Sequence, residues 1–508
     1  MVRLSVYGLN IILETDNPGV RYMLEYDKTE QVYNIWTKSW VTKTGKGKIY
    51  NKSKTDTKRK LYYFEIGVGF AAYLLKVFNS DISKDDYNDV CSAIYQTNYR
   101  TIPFPELRDY QNQDVLHCLK YKFGLFSCYT GYGKTSVIAV LAKYFSVDLG
   151  KRVLLVTPQT KPRDELIKRI KNNYNIDVPT KIMSGQGIQS MITNGLMNRS
   201  ILKDKEEEKK LIADLESYDV VLVDEVEYCS NPGGHYIFSH TTNAQVRFGF
   251  SGTSDKNSAK LIGFSNGLND PTVISNRDLI RFFGTSLVYR KPLDLTINSI
   301  VIKSKSMNKS NLKLWEVPED SGNLYLDIMT KIFTNPEVSK TLVNIAYNYP
   351  LLFIPINNLQ NIINQWIDIY FLGKFNILLV CGEGYLYFSE QDKTKVNLTL
   401  QEACDKIKEG CIDVIFSTSS GFRALDLPEL KNILLIQGKI AGSVLQQIGR
   451  VARQKEFNII TLEPEDGLPI PIHTKSQKIR KDMIKEYYSY CKINEFEIDE
   501  KSLIKKGI

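Results

Sequence analysis

The chain has 508 residues, which corresponds to about three domains at the usual 100 to 200 residues each. Hydrophobic residues make up 43% and charged residues 24%, a balance that excludes a disordered or fibrous chain. Sixty-six basic and 57 acidic residues leave a net charge of +9, which permits a polyanionic partner without requiring one.

Residues 1–104 are predicted to form a small α+β domain with one strongly basic segment. Between Lys38 and Lys60, nine Lys or Arg residues stand against one acid, Asp56, and aromatic and Gly residues are interleaved with them. This composition favours a β-ribbon or loop and suits a nucleic-acid contact through phosphates and stacked bases. The candidate contacts are Trp40, Lys46 and Lys48. The alternative is a solvated loop whose aromatic rings are buried in the core.

Residues 105–292 and 293–465 are each predicted to form an α/β domain. In both regions short apolar runs alternate with helical stretches, which is typical of βαβ units and a parallel sheet. The runs are 123–129, 152–156 and 220–223 in the first region, and 350–355, 377–380, 414–417 and 433–436 in the second. Residues 466–508 are predicted to be a helical tail, because apolar residues recur at four-residue spacing from Ile479 to Cys491.

The sharpest local motif runs from Cys128 to Thr135 and reads C-Y-T-G-Y-G-K-T, after an apolar strand and before an apolar helix. This order predicts a phosphate-binding loop, in which Gly131 and Gly133 let backbone N–H groups surround the phosphates. Lys134 would reach the β- and γ-phosphates of ATP, and the Thr135 hydroxyl would bind Mg²⁺. A plain helix-initiating turn is the alternative.

A second motif is the apolar strand that ends in Asp224 and Glu225. A carboxylate at a strand end near the phosphate loop can hold Mg²⁺, which is the role predicted for Asp224. Glu225 would orient and deprotonate the attacking water. Exposed acids at an ordinary strand end are the alternative.

A third motif, Q-Q-I-G-R-V-A-R, begins at Gln446 and carries Arg450 and Arg453 at three-residue spacing, which places both on one helix face. Arginines presented to a γ-phosphoryl group stabilise its charge during transfer. Ordinary surface ion pairs are the alternative.

In this order the motifs resemble those of the superfamily 2 helicases over residues 106–465. The resemblance implies a pair of RecA-like domains with ATP in the cleft between them. It assigns adenine recognition to the segment from Leu107 to Gln111, and nucleic-acid contact to Thr157 with Pro158 and to Thr418. The segment from Ser251 to Thr253 resembles the motif that couples hydrolysis to movement. The further residues that it assigns to the nucleotide site are Arg108, Gln111, Asp426 and Gln446, with Arg450 and Arg453 as arginine fingers.

The layout of a basic N-terminal domain, an uninterrupted motor and a short tail is most similar to the UvsW-type recombination helicases of bacteriophages. That likeness implies an ATP- and Mg²⁺-dependent helicase or translocase acting on branched DNA in recombination, repair or replication. It implies a monomer, with single-strand-binding or recombination proteins as candidate partners. An RNA helicase or transcript-release ATPase is the first alternative, and a nucleic-acid-binding ATP switch is the second.

Three positions depart from the family pattern. Cys128 stands where the strict phosphate-loop motif has Gly, Glu227 where the family has His, and Ala424 where it has Gly. These departures leave every hydrolytic group in place and bear on how hydrolysis is coupled to movement.

Cysteine usage and hydropathy indicate whether a zinc site, disulfides or a membrane segment should be expected. The eight Cys residues include no C-x-x-C pair, and only four His accompany them, so neither a zinc site nor a disulfide framework is expected. No signal peptide and no apolar run of bilayer length is recognised, so we expect a cytoplasmic protein without membrane contact.

Overall fold

The computed structural model describes most of the chain. The described residues are 2–34, 39–129, 131–157, 171, 180–184, 205–226, 232–252, 271–292, 294–317, 324–356, 363–364, 366–371, 373–381, 384–391, 394–418, 430–436, 448–449, 454–467, 481–482, 484–485 and 487–503. They divide into two compact units, Met1–Cys128 with Tyr132–Arg290, and Tyr129–Gly131 with Lys291–Ile508. The fold is α/β, with a RecA-like sheet in each unit, parallel in the first and mainly parallel in the second, and antiparallel strands before the first.

The N-terminal part of the first unit is built from antiparallel strands and two packed helices. Its described elements are β1 (Val2–Tyr7), β2 (Asn10–Thr15), α1 (Val20–Met23), β3 (Glu25–Asn34), β4 (Ser39–Lys48), β5 (Tyr50–Asp56), β6 (Leu61–Gly67), α2 (Ala71–Phe78) and α3 (Lys84–Ile94). Strands β1-β2-β6-β5 form one sheet, and β3 pairs with β4 as a separate two-stranded ribbon. The basic segment, predicted to be a β-ribbon or a loop, supplies β4 of this ribbon and β5 of the four-stranded sheet.

The remainder of the first unit is a parallel α/β layer. Its described elements are α4 (Asp109–Cys118), β7 (Phe123–Cys128), α5 (Lys134–Lys143), β8 (Val153–Thr157), β9 (Thr180–Ser184), α6 (Lys205–Glu216), β10 (Val220–Val223), α7 (Pro232–His240), β11 (Val246–Ser251), α8 (Pro271–Phe283) and β12 (Ser286–Arg290). The strand order is β12-β7-β11-β10-β8-β9, and every pair is parallel. The carboxyl ends of β7, β10 and β11 therefore meet at one edge of the sheet.

One hydrophobic core joins the N-terminal strands to this parallel layer. It runs from Leu4 and Phe64 through Leu154 to Ile280 and Phe283 of α8. The contact is close, because a Cβ on Gly69 would lie 1.6 Å from the carbonyl oxygen of Ile280. The N-terminal part and the parallel layer thus share a core within the first unit.

A buried arginine stabilises this unit without a carboxylate partner among the described residues. Arg247 of β11 is fully buried and donates to the carbonyl oxygen of Phe238 at 3.2 Å, and to the carbonyl and hydroxyl oxygens of Thr241. These acceptors lie at the end of α7, where helix carbonyls have no partner within the helix. Burial lowers the pKa of Arg247 to about 9, so its guanidinium stays charged at neutral pH.

The second unit contains a larger mixed sheet. Its described elements are β13 (Thr296–Ser304), α9 (Lys309–Leu312), α10 (Leu324–Thr334), α11 (Pro336–Asn348), β14 (Leu352–Pro355), β15 (Ile377–Cys381), β16 (Gly384–Phe388), β17 (Lys395–Leu398), α12 (Leu400–Lys408), β18 (Val414–Ser417), β19 (Asn432–Leu435), β20 (Glu456–Pro464) and β21 (Lys492–Asp499). The order is β17-β16-β15-β18-β14-β19-β20-β13-β21, antiparallel only at β15-β16 and β16-β17 among these strands. The four strands predicted in this region are β14, β15, β18 and β19.

The end of the chain differs from the predicted helical tail. Described residues at 481–482, 484–485 and 487 are helical, but Lys492–Asp499 forms β21, parallel to β13. The reason is an edge of the sheet at β13, with which the backbone of Lys492–Asp499 pairs along its whole length. The four-residue spacing of apolar residues ends at Cys491, and the predicted helical tail was wrong in continuing to residue 508.

Among the residues that the structure describes, none of the helices is both long and apolar enough to cross a bilayer.

Candidate nucleotide-binding site

The predicted phosphate loop lies between β7 and α5, at the carboxyl edge of the parallel sheet. Gly131 has φ of 100° and Gly133 has φ of 90°, left-handed values that only glycine adopts without strain. Gly133 directly precedes α5 and offers no side-chain cap to the first N–H groups of that helix. Backbone donors at a helix start without a side-chain cap favour an anion, which agrees with a phosphate ligand.

The loop accommodates Cys128 because this residue belongs to the strand. Cys128 is the last residue of β7, is fully buried, and stands opposite Arg290 of β12 in the parallel register. The left-handed positions begin three residues later, so a side chain at 128 meets no backbone constraint. Burial raises the pKa of the Cys128 thiol, which makes it a neutral packing group.

Lys134 and Glu225 lie side by side in the structure. The Lys134 ammonium is 3.7 Å from a Glu225 carboxylate oxygen, and the other oxygen accepts from the N–H of Gly252 at 3.3 Å. A Cβ on Gly252 would lie 2.4 Å from the Lys134 nitrogen, so glycine leaves room for the ammonium group. Glu225 itself has φ of 46°, a conformation that costs a non-glycine residue on the order of 1 kcal/mol and is found mainly at functional sites.

Asp224 directly follows β10, at the carboxyl edge of the same sheet. Its N–H donates to the carbonyl oxygen of Val156 at 2.9 Å, and its carboxylate accepts from the N–H of Glu225 at 3.0 Å. Asp224 and Thr135 together offer one carboxylate and one hydroxyl. Mg²⁺ is usually held by one or two such groups together with substrate phosphates and water, so this donor set fits the ion.

The adenine-recognition segment contacts the loop directly. Gln111 is 3% exposed, and its amide oxygen accepts from the N–H of Arg108 at 3.0 Å. The amide nitrogen of Gln111 donates to the carbonyl oxygens of Tyr132 at 2.8 Å and Gly133 at 3.4 Å. The structure thus gives Gln111 a role in holding the loop, while adenine recognition by Arg108 and Gln111 stays a prediction.

Three residues in and beside the phosphate loop were not predicted from the sequence: Tyr132, Asp114 and Arg290. Tyr132 is fully buried, and its hydroxyl donates to Asp114 at 2.9 Å. Arg290 donates to both oxygens of the same carboxylate, at 2.7 and 2.9 Å, and this hydrogen bonding raises the pKa of Arg290. One local signal existed: Asp114 follows Gln111 by three residues and therefore lies on the same face of α4.

Two of the predicted nucleic-acid contacts are buried in the structure. Thr157, at the end of β8, is 0% exposed, and Thr418 is 8% exposed with its N–H donating to the carbonyl oxygen of Val380 at 2.9 Å. Their contact with nucleic acid stays a prediction.

The basic ribbon carries more acids than the count from Lys38 to Lys60 indicates. In the β3–β4 register, Lys48 stands opposite Glu25 and Lys46 opposite Asp27. Lys43 stands opposite Glu30 in the same way. By sequence, β3 carries three acids and β4 three lysines, so the two strands together are far less basic than β4 alone. The backbone of Trp40 lies in β4, and nucleic-acid contact by Trp40, Lys46 and Lys48 stays a prediction.

The remaining predicted site residues lie outside the described residues. They are Pro158, Asp426, Gln446, Arg450 and Arg453, together with the variant positions Glu227 and Ala424.

Residues 104–256 match the family model described as "Type III restriction enzyme, res subunit". The matched residues include both the phosphate loop and the acidic end of β10. The chain is similar to superfamily 2 helicases. The α/β sheets of the two units agree with this similarity.

Several solved structures also align with the chain. The crystal structure of UvsW from bacteriophage T4 aligns over 98% of this chain and 99% of its own, at 15% identity and a TM-score of 0.35. Dbp5 from Saccharomyces cerevisiae, bound to RNA and ADP BeF3, aligns over 77% and 89%, at 10% identity and a TM-score of 0.47. The Lhr helicase of Mycobacterium smegmatis, bound to ssDNA and AMP-PNP, aligns over 78% and 49%, at 14% identity and a TM-score of 0.44. At these scores the alignments carry no argument about substrate, and a search of curated protein sequences found no significant match.

Proposed function

We propose that the protein is an ATP-dependent DNA helicase or translocase that acts on branched DNA, in phage recombination, repair or replication. The observation that carries this proposal is the pairing of Lys134 with Glu225 beside the left-handed glycines of the loop, at one edge of a parallel sheet. A phosphate-binding loop next to a strand-end acid pair is what nucleotide hydrolysis requires.

In this proposal the phosphate loop and the end of β10 share the work of hydrolysis. Gly131, Gly133 and Lys134 bind the phosphates, and Lys134 exchanges its contact with Glu225 for the γ-phosphate. Thr135 and Asp224 would hold Mg²⁺, which would supply neutralisation of the phosphate charge. Glu225 accepts a proton from the attacking water.

Arginines complete the proposed site. Arg450 and Arg453 stabilise the transferring phosphoryl group, with Gln446 and Asp426 as further nucleotide contacts. These four residues enter the proposal from the motif order alone.

The choice of DNA rests on two supports. The matching family model is named for a restriction enzyme, whose substrate is DNA. Exposed cations lie in β5 at Lys52 and Lys54 and in the turn that follows it at 58–60, and they suit a phosphate backbone. The proposed preference for branched DNA comes from the likeness in layout to UvsW-type helicases.

The test is the rate of ATP hydrolysis with no nucleic acid, single-stranded DNA, RNA, linear duplex and a four-way junction, over a series of salt concentrations. Wild type should be stimulated most by the junction, and Lys134→Ala should remove the stimulated rate. Lys143→Ala is the matched control, because Lys143 lies at the other end of α5 and pairs with Glu106 at 2.8 Å.

The other outcomes separate the alternatives. Stimulation by RNA alone would replace DNA by RNA in the proposal. ATP binding without turnover on any nucleic acid would leave only a nucleotide-controlled switch.

A further inference from the structure

A buried tyrosine lies inside the phosphate loop. Tyr132 stands between the two left-handed glycines, and none of its surface is exposed. Residues of a glycine-rich surface turn are usually exposed, since buried loop backbone must find hydrogen-bond partners. The ring of Tyr132 also packs edge-on against Tyr110 of α4, with ring centroids 5.4 Å apart. The side chain therefore fastens the loop to the body of the first unit.

The hydroxyl group of Tyr132 donates to the carboxylate of Asp114, which a second residue holds in place. It donates to Asp114 Oδ2 at 2.9 Å, and Asp114 is 7% exposed. Arg290 donates from Nη2 to Oδ1 at 2.7 Å and from Nε to Oδ2 at 2.9 Å, a two-point contact. Hydrogen bonds to a charged carboxylate are shorter and roughly twice as strong as neutral ones. Asp114 is therefore a fixed anchor.

The backbone of Tyr132 is held from the same helix. Its carbonyl oxygen accepts from the amide nitrogen of Gln111 at 2.8 Å and from the hydroxyl of Tyr110 at 3.2 Å. Tyr110, Gln111 and Asp114 lie within five consecutive residues of α4. One turn of α4 thus fixes both the side chain and the peptide group at the middle of the loop.

A purely structural role and a role in nucleotide binding predict different effects. A structural network lowers the stability of the fold when it is cut. A network that shapes the loop lowers affinity for phosphates, because a mobile loop must be ordered again each time nucleotide binds. The network ends at the loop itself, between residues whose N–H groups would face the phosphates, and this position favours the second role.

We propose that Tyr132 is a positioning residue for the nucleotide phosphates, and that its hydroxyl, held by Asp114 and Arg290, keeps the phosphate loop preorganised. The proposal rests on the proposed function, since it assumes that the loop binds a nucleotide. Tyr132 touches no reacting atom and acts through the loop backbone.

Tyr132→Phe is the direct test, because it removes one hydroxyl and keeps the ring. We expect the KM for ATP to rise about five- to twenty-fold while kcat stays within about two-fold, as expected for lost binding shared by ground and transition states. The midpoint of thermal unfolding should change little, since Asp114 keeps Arg290.

The chain contains a matched control in a second Tyr–Asp–Arg group. The Tyr218 hydroxyl lies 3.5 Å from Asp214, and Arg152 lies 3.8 Å from the same carboxylate. Tyr218 is 3% exposed and precedes β10, at the opposite end of that strand from Asp224. Tyr218→Phe should leave the KM for ATP unchanged.

A double-mutant comparison tests the route through Asp114. If the hydroxyl acts through this carboxylate, the pair Tyr132→Phe with Asp114→Ala should raise the KM for ATP no more than Asp114→Ala alone. Full additivity of the two effects would overturn the assigned route. A wild-type KM in Tyr132→Phe, or an equal loss in Tyr218→Phe, would overturn the role itself.

Hydrogen exchange without nucleotide separates this inference from the proposed function. Tyr132→Phe should speed amide exchange in a peptide covering 129–137, and Tyr218→Phe should not. If wild type neither binds nor hydrolyses MgATP, the proposed function fails, and the exchange rates still decide whether Tyr132 orders the loop. Unchanged exchange in Tyr132→Phe would refute the positioning role.

Discussion

The phosphate loop and the basic ribbon use charge in opposite ways, although both belong to the first unit. Around the loop, charged groups are few and fixed: Asp114 binds Arg290 and Tyr132 at 2.7 to 2.9 Å. In the ribbon, charges are many and are distributed along two strands, with Glu25 opposite Lys48 and Asp27 opposite Lys46. The loop depends on exact geometry, whereas the ribbon depends on summed charge and on strand register.

The comparison shows why the sequence alone identifies the phosphate loop but misjudges the net charge of the ribbon. Motif spacing identifies a phosphate loop because its glycines and Lys134 act within a few residues of one another. The net charge of a ribbon depends on which strand lies opposite, which a count along one segment leaves out.

The largest effect is expected for Glu225→Gln, which preserves shape and removes the proton acceptor. ATP turnover should fall by about 10²- to 10⁴-fold while ATP still binds, because general-base catalysis contributes on this scale. Single-turnover hydrolysis and equilibrium nucleotide binding measure the two quantities. Glu409→Gln, on an exposed residue of the second unit, should change neither. Turnover close to wild type in Glu225→Gln would remove the catalytic assignment.

Arg247→Met should cause the largest loss of stability. It leaves the carbonyl oxygens of Phe238 and Thr241 buried without their donor, which costs about 2 to 4 kcal/mol. The free energy of unfolding of the first unit, measured in urea, tests this value. Arg59→Met changes an exposed cation and should shift it by less than about 0.5 kcal/mol. Equal effects of the two substitutions would show that the buried arginine is not the anchor described.

Gly133→Ala should raise the KM for ATP at least about ten-fold. The new Cβ would lie 2.6 Å from the Gln111 amide nitrogen, at a φ of 90°. Gly150→Ala provides the control, since its φ of 63° is also left-handed but no atom lies within 4 Å of the new Cβ. Gly150→Ala should therefore lower stability by about 1 kcal/mol and leave the KM unchanged. If both variants raised the KM alike, general backbone strain and not the loop contact would be the cause.

The smallest effect is expected in the ribbon. Asp27→Asn with Glu30→Gln removes acids opposite Lys46 and Lys43, so affinity for DNA should rise about three-fold at low salt. The dependence of affinity on salt concentration should steepen. Glu390→Gln with Glu409→Gln gives the same change in net charge on exposed residues of the second unit. Equal gains in both pairs would indicate net charge alone, and no gain in the first pair would mean that the ribbon does not face DNA.

Much of the candidate site follows from sequence because its groups are local. The loop, Asp224 and Glu225 each stand at the end of an apolar run, and parallel pairing brings such ends to one edge. The Tyr132–Asp114–Arg290 network could not be inferred, because its members are separated by 18 and 176 residues and by no repeating pattern. Tyr132 also looks like any exposed loop tyrosine until its burial is known.

The fold shows the same division between local and distant information. Runs such as 220–223 and 414–417 predict strands by their own composition, and β10 and β18 have these bounds. Strand β21 was missed because its position depends on β13, roughly 200 residues earlier, and its own residues are mostly exposed. A helix pattern immediately before it therefore led to an overextended helix.

The place of β13 in its sheet also has a consequence for synthesis. Thr296–Ser304 pairs on one side with Glu456–Pro464 and on the other with Lys492–Asp499. While a ribosome makes the residues between them, both edges of β13 lack these partners, and both of its faces are apolar, with Ile297 on one and Ile300 and Ile302 on the other. Exposed strand edges with apolar faces attract other chains and chaperones. The second unit should therefore close its sheet late, and a ribosome-bound chain stopped before residue 456 should be the form most prone to aggregate.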